Sequence, residues 1–288
     1  MRRIRNAKMK IVRVAEIIDK ILYRIAIYLL PHLPSQDPTL YSFCQSYVNH
    51  YRGENNCDIH TNGELRLLQQ VLPTCRVVFD VGANVGNWAA LALTINPGIT
   101  IHCFEPSQAT FRRLLERGFP ANVICLNFGL GAAAEERTLY VFEAASGLNS
   151  LYERHGLENG WGLQTQQHKE IVHLDTLDRY CESAGVNMID FLKVDVEGHE
   201  LHVLEGSRRM LQEGRIGIVQ FEYGGCNIDA RILLKDLFDF FSPLPYVLYK
   251  IHPHRLQRVD RYDQRLENFQ YQNWVAVHSD RLRIVQTE

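Results

Sequence analysis

Along residues 11–29 the apolar side chains Ile11, Val14, Ile18, Ile21, Ile25 and Tyr28 recur at alternating steps of three and four, and apolar residues at 17, 22 and 29 widen the stripe. That period predicts an amphipathic helix, ended by Pro31 and Pro34. From about residue 61 the pattern changes to short runs rich in β-branched residues: Arg76 to Val81, Ile99 to Phe104, Val123 to Leu126, Ile189 to Val196 and Ile216 to Phe221. They read as five strands apolar on both faces, separated by helical patterns such as Trp88 to Ile95 and Gln108 to Gly118. Strands without a wet face, alternating with helices, predict a doubly wound α/β fold with a parallel sheet covered on both sides.

In such sheets ligands bind outside the carboxyl ends of the strands, and every run here ends in polar residues. The first closes on Asp80-Val-Gly82-Ala-Asn84-Val-Gly86-Asn87, the second on Glu105-Pro106, the third on Asn127, the fourth on Lys193-Val-Asp195-Val-Glu197-Gly198 and the fifth on Glu222. Gly82 and Gly86 let the backbone turn sharply and approach a ligand, or serve simply as a tight turn. Glu105, nineteen residues past Gly86, stands where a carboxylate chelates ribose hydroxyls; taken alone it would equally neighbour a helix N-cap. A dinucleotide fingerprint needs G-x-G-x-x-G to seat a pyrophosphate. The row G-A-N-V-G, with Asn84 in place of the second glycine, disfavours NAD and suits a nucleoside ligand without phosphate. Alternation along an extended chain puts Lys193, Asp195 and Glu197 on one face. Charges in an otherwise apolar strand are costly unless paired or used, so the set reads as chemistry, with a structural ion pair as the alternative.

The 288 residues, 46% of them hydrophobic, admit one large or two small globular domains. A formal charge of −2 conceals an asymmetry: residues 1–24 hold eight basic and two acidic side chains, leaving 23 basic and 31 acidic in the rest. The acidic remainder argues against a nucleic-acid substrate. Charges at 16, 19, 20 and 24 interrupt the N-terminal apolar stretch, whose longest unbroken run is Ile25 to Leu30, so neither a signal peptide nor a membrane span is expected. The stripe has three competing uses: packing on its own domain, self-association through residues 11–30, or peripheral contact with an anionic membrane. Seven cysteines, none in a CxxC pair, exclude a disulfide framework or a zinc site and point to a reducing, cytoplasmic setting, with the inner face of the membrane as its variant.

Together the stretches Val78-Phe-Asp-Val-Gly-Ala-Asn-Val-Gly86, Phe104-Glu-Pro106, Leu174-Asp-Thr-Leu-Asp178, Asp190-Phe-Leu-Lys-Val-Asp-Val-Glu-Gly-His-Glu200 and Leu204-Glu-Gly206 resemble the FkbM family of S-adenosylmethionine-dependent methyltransferases, over about Arg76 to His278. The resemblance implies a class I methyltransferase, Rossmann-like fold with a mostly parallel seven-stranded sheet, one strand antiparallel, and O-methylation of hydroxyls on sugars, glycans or secondary metabolites. It implies that Asp80, Gly82, Asn84, Gly86 and Asn87 form the first loop around S-adenosylmethionine, with Glu105 on the ribose and Asn127 near the adenine. Tyr246 to Ile251 and Trp274 to His278 would be closing antiparallel strands, while the first 60 residues and the His252 to Gln270 connection match nothing in the core motif. Residues 1–60 are therefore expected to be a basic helical lead-in and 61–288 the methyltransferase domain.

A sulfonium already activates its methyl group, so the protein must mainly align the acceptor oxygen and exclude water. A base at the end of the fourth run would help, and Asp195 and His199 are the candidates, with Glu197 orienting the acceptor. Asp195 and Glu222 could instead share a hard cation; two carboxylates are a thin ligand set, so a metal stays an open alternative and is not assigned. Ser146, Asn149 and Ser150 resemble a polar motif of the family and would touch cofactor or acceptor, or be ordinary loop polarity. The competing functions are a nicotinamide-dependent oxidoreductase, disfavoured by Asn84, and a non-catalytic cofactor-binding adaptor, disfavoured by the retained Lys193, Asp195 and Glu197.

Overall fold

The structure is a computed structural model that describes residues 19–29, 32, 37–142, 146–157 and 168–285. It divides into two units, residues 1–48 and 49–288. In the first, residues 19–29 are helical and helix α1 (Pro38–Arg52) begins, its first turn capped by Asp37, whose carboxylate accepts from the Thr39 and Leu40 amides at 2.9 and 3.0 Å. Of the predicted stripe, Ile11, Val14 and Ile18 lie outside the described residues, whereas Ile21, Ile25 and Tyr28 are exposed. The boundary falls before residue 60 because Glu54 is held by Lys250 at 2.7 Å and Asn55 bonds the Tyr271 backbone, both within the second unit.

In that second unit the strands are β1 (Val77–Val81), β2 (Thr100–Phe104), β3 (Val123–Leu126), β4 (Gly129–Leu130), β5 (Glu135–Val141), β6 (His168–Asp175), β7 (Ile189–Val194), β8 (Ile216–Tyr223), β9 (Tyr246–His252), β10 (Arg255–Arg258) and β11 (Gln272–His278). Eight form one sheet in the order β10-β9-β11-β8-β7-β1-β2-β3. Strands β3, β2, β1, β7 and β8 are parallel, and β11 runs antiparallel between β8 and β9. The five apolar runs are thus the parallel strands. Helices α2 (Glu64–Val71), α3 (Asn87–Ile95) and α4 (Gln108–Glu116) precede or link the first of them. Separate apolar cores cover the faces of the sheet, one around Phe79, Phe221 and Trp274 and the other around Val78, Phe191 and Val275, the alternate residues of the same strands.

The sheet departs from the expected seven strands. Of the two closing segments only Trp274 to His278 opposes the parallel strands; β9 is aligned with them, and the antiparallel β10 folds back on it through the Pro253-His254 turn. Strand β10 alternates buried Leu256 with exposed Arg255, Gln257 and Arg258, as a sheet edge favours, and those charges hid it in the sequence. A second sheet, β4-β6-β5, also had no counterpart among the apolar runs, because β6 buries only Val172 and Leu174 and turns its other residues outward.

Candidate active site

Strand β1 ends beneath the cleft. Gly82 follows it with φ +81°, and a Cβ there would lie 1.8 Å from the Asp195 carbonyl oxygen, so only glycine lets the β1 and β7 turns meet. Gly86, with φ +79°, instead makes room for Leu114 and Phe119 behind the loop. Asp80 is fully buried and sits beside Lys193 across the β1–β7 pairing. The Lys193 ammonium donates to Asp80 Oδ1 at 3.3 Å and to Asp195 Oδ2 at 3.0 Å. Burial opposes its charge, but the carboxylates of Asp195 and Asp80 prevail and raise its pKa.

Beyond Val194 the chain leaves the extended form. Glu197 has φ +52°, so this turn, and not strand alternation, brings it back beside Asp195. Arg154 donates to Glu197 at 2.9 Å and lies 3.4 Å from Asp229. Burial, with the Asp195 charge second, pushes Glu197 up to about 8. Glu222, at the end of β8, accepts from the Tyr271 hydroxyl at 2.8 Å, and burial raises it well above the usual carboxylate range. Asp195, Glu197 and Glu222 each bring one oxygen within 4.8 Å of the others.

Behind Glu222 a hydrogen-bonded chain runs inward. Asn273 donates to the Tyr271 hydroxyl at 3.0 Å and to Glu64 at 3.1 Å, and Gln220 donates to the other Glu64 oxygen at 2.5 Å. Glu64 opens α2 and escaped the sequence reading because Gln220 and Asn273 lie 156 and 209 residues away along the chain.

At the end of β2, Glu105 is 7% exposed; its carboxylate accepts from the Asn84 amide at 3.0 Å and the Ser107 amide at 2.9 Å. Burial lifts it to about 7 despite those two bonds. It is therefore both the neighbour of a helix start and a residue bordering a small chamber, which Gly82, Asn84, Leu130, Leu151 and Leu174 also line. A larger chamber is lined by Glu64, Trp88, Lys193, Glu222 and Tyr271. Gly82, Asn84, Gly147, Asp195 and Glu197 border both, forming a shared wall.

Other expected site residues take different positions. Asp80 and Gly86 border neither chamber, since one anchors Lys193 and the other accommodates Leu114 and Phe119. Asn87 borders only the larger one. Asn127, expected near the adenine, donates its amide to the Glu105 and Pro106 carbonyls at 3.0 and 3.2 Å and braces that turn. His199 borders the smaller chamber and not the larger one. It is 1% exposed, its Nδ1 lies 2.8 Å from the Tyr152 hydroxyl, and its ring stacks on His202 at 4.4 Å. Burial, with His202 second, depresses it to about 3. Ser146 and Asn149 line the smaller chamber, and Ser150 donates to the Glu197 carbonyl at 2.7 Å.

Residues 80–248, which carry this whole loop system from Asp80 to Glu222, match the methyltransferase FkbM domain. The chain belongs to that family. Over 178 residues it is 32% identical to the hexuronic acid methyltransferase AglP of Haloferax volcanii, covering 60% of this chain and 66% of that protein. It is 29% identical to the 31-O-demethyl-FK506 methyltransferase FkbM of Streptomyces tacrolimicus, over 45% of this chain and 58% of the other. The match therefore spans at most about two thirds of these relatives. A crystal structure of methyltransferase FkbM from Methylobacillus flagellatus KT aligns with a TM-score of 0.40 and 16% identity, over 70% of this chain and 43% of that one. The family segment contains Lys193, Asp195, Glu197 and Glu222 but not Glu64 or Tyr271, so part of the larger chamber's lining comes from outside it.

Proposed function

We propose that the chain transfers a methyl group from S-adenosylmethionine to a hydroxyl oxygen of a sugar-like or secondary-metabolite acceptor. The observation that carries this reading is the shared wall of Asp195 and Glu197 between two chambers, inside a methyltransferase-family segment. The smaller chamber suits a nucleoside: a buried carboxylate at its floor, a glycine turn at its edge and leucine walls, without a pyrophosphate-binding row. Glu105 would hold the ribose hydroxyls there, with Gly82 and Asn84 along the cofactor chain. The bound cofactor supplies a methyl group already activated on its sulfonium.

The protein's own work is at the acceptor. Asp195 takes the hydroxyl proton as the oxygen gains the methyl group, and the Lys193 ammonium at 3.0 Å keeps its carboxylate in place. Glu197, held by Arg154, orients the acceptor from the same wall. His199 supports that wall through Tyr152 and is not assigned the proton. The larger chamber is bordered by Glu64, Asp195, Glu197, Glu222 and Asp229 against the two cations Lys193 and Arg154. Burial raises Glu64, Glu197 and Glu222 above the usual carboxylate range, so these acids donate as well as accept hydrogen bonds toward an acceptor's hydroxyls.

The test is transfer of labelled methyl to matched pairs of neutral hexosides and their uronates. Labelling of a hydroxyl in either series, abolished by Asp195→Asn with cofactor binding retained, supports the reading; no labelling of any hydroxyl while the cofactor binds contradicts it.

A further inference from the structure

The N-terminal unit exposes large apolar side chains in a regular arrangement. Ile21, Leu22, Ile25, Tyr28 and Leu29 fall at helical steps on one face and are each 49–74% exposed. In α1, Phe43 and Tyr47 lie four residues apart and are 68% and 64% exposed. Stripes of this kind are seldom left uncovered on soluble proteins.

The charges beside the stripe identify what covers it. Lys20 and Arg24, one helical turn apart, directly precede Ile21 and Ile25. The sequence adds Arg2, Arg3, Arg5, Lys8, Lys10 and Arg13 before them, against Glu16 and Asp19 alone, and Pro38–Arg52 contains no carboxylate. A second copy of this segment would bring the same excess of positive charge to the contact and be repelled. An anionic bilayer surface satisfies every part: aliphatic side chains enter the acyl boundary, tyrosines sit at headgroup depth, and Lys and Arg reach the phosphates. Among the described residues no helix is long and apolar enough to cross a membrane.

We propose that the N-terminal unit lies on an anionic phospholipid surface and docks the enzyme there. Flotation of the full chain with phosphatidylcholine vesicles, with and without about one third phosphatidylglycerol, tests it. Binding is expected only to the anionic vesicles, and about 0.5 M salt should weaken it strongly. Lys20→Glu combined with Arg24→Glu should lower partitioning by at least about tenfold. Phe43→Ser with Tyr47→Ser should lower it without changing the charge. Retained S-adenosylhomocysteine binding shows that each variant is folded. Equal binding to both vesicle types, or to neither, overturns the proposal. So does concentration-dependent self-association in lipid-free buffer that Phe43→Ser with Tyr47→Ser abolishes, which would make the face a contact between copies.

Discussion

Two carboxylates, beyond the ends of β2 and β7 on either side of β1, are given different tasks in the proposed function because their surroundings differ. Glu105 is almost fully buried and already accepts two backbone N–H bonds, so it is rigid and suited to hold a diol. Glu105→Ala should weaken S-adenosylhomocysteine binding by about ten- to a hundredfold, the scale of a hydrogen bond to a charged group, as read by calorimetry. Asp195 stands at the shared wall with its Oδ2 on Lys193. Asp195→Asn keeps the shape and removes the proton acceptor, so turnover should fall by at least about a hundredfold while cofactor affinity changes little. A parallel loss of both would make Asp195 a cofactor-binding group and contradict the assignment.

At the scale of elements, the site depends on β1 and β7 ending together. Lys193 links fully buried Asp80 to Asp195, so Lys193→Met should destabilise the fold by about 3–5 kcal/mol in denaturant titration, with part regained when Asp80→Asn is added. An unchanged midpoint would show that Asp80 has another partner. The parallel strands were legible because each reads as an apolar run, and all but the edge strand β3, whose Ile124 is exposed, are buried on both faces. Their polar ends, from Asp80 to Glu222, were legible for the same reason, since a charge stands out against such a run. What stayed hidden depends on long-range contact or on alternation. Glu64 looks like an ordinary first-turn acid until Gln220 and Asn273 enclose it. Strands β5, β6 and β10 keep one face wet and resemble loops. His199 sits in a motif full of chemistry, yet its place under the wall follows from Tyr152 and His202, which its spacing does not reveal.

For the whole molecule, buried acids make stability depend on pH. Burial first, opposed by hydrogen bonds or Arg154, raises Glu105 and Glu200 to about 7 and Glu197 to about 8, above the ordinary 4.5. A raised acid binds its proton more tightly in the folded chain, so its contribution is full at low pH and is lost as pH rises through 7–8. Buried His102 and His252, at about 4, and His199, at about 3, act oppositely and have made their contribution once pH exceeds the ordinary 6.5. Only the acids still titrate above that point, so the melting temperature should fall from about pH 6.5 to 8.5, and Glu197→Gln should flatten the fall. A rising melting temperature would contradict the buried-acid arrangement. The near-zero net charge arises from a basic segment, residues 1–24, and an acidic remainder. The central claim, a methyl-donor chamber floored by Glu105, is tested most directly by calorimetric titration of the full chain with S-adenosylhomocysteine and, separately, with NAD. Saturable binding of S-adenosylhomocysteine at one site per chain, with no heat from NAD, is the predicted result. No binding of S-adenosylhomocysteine, or NAD binding in its place, would contradict the account.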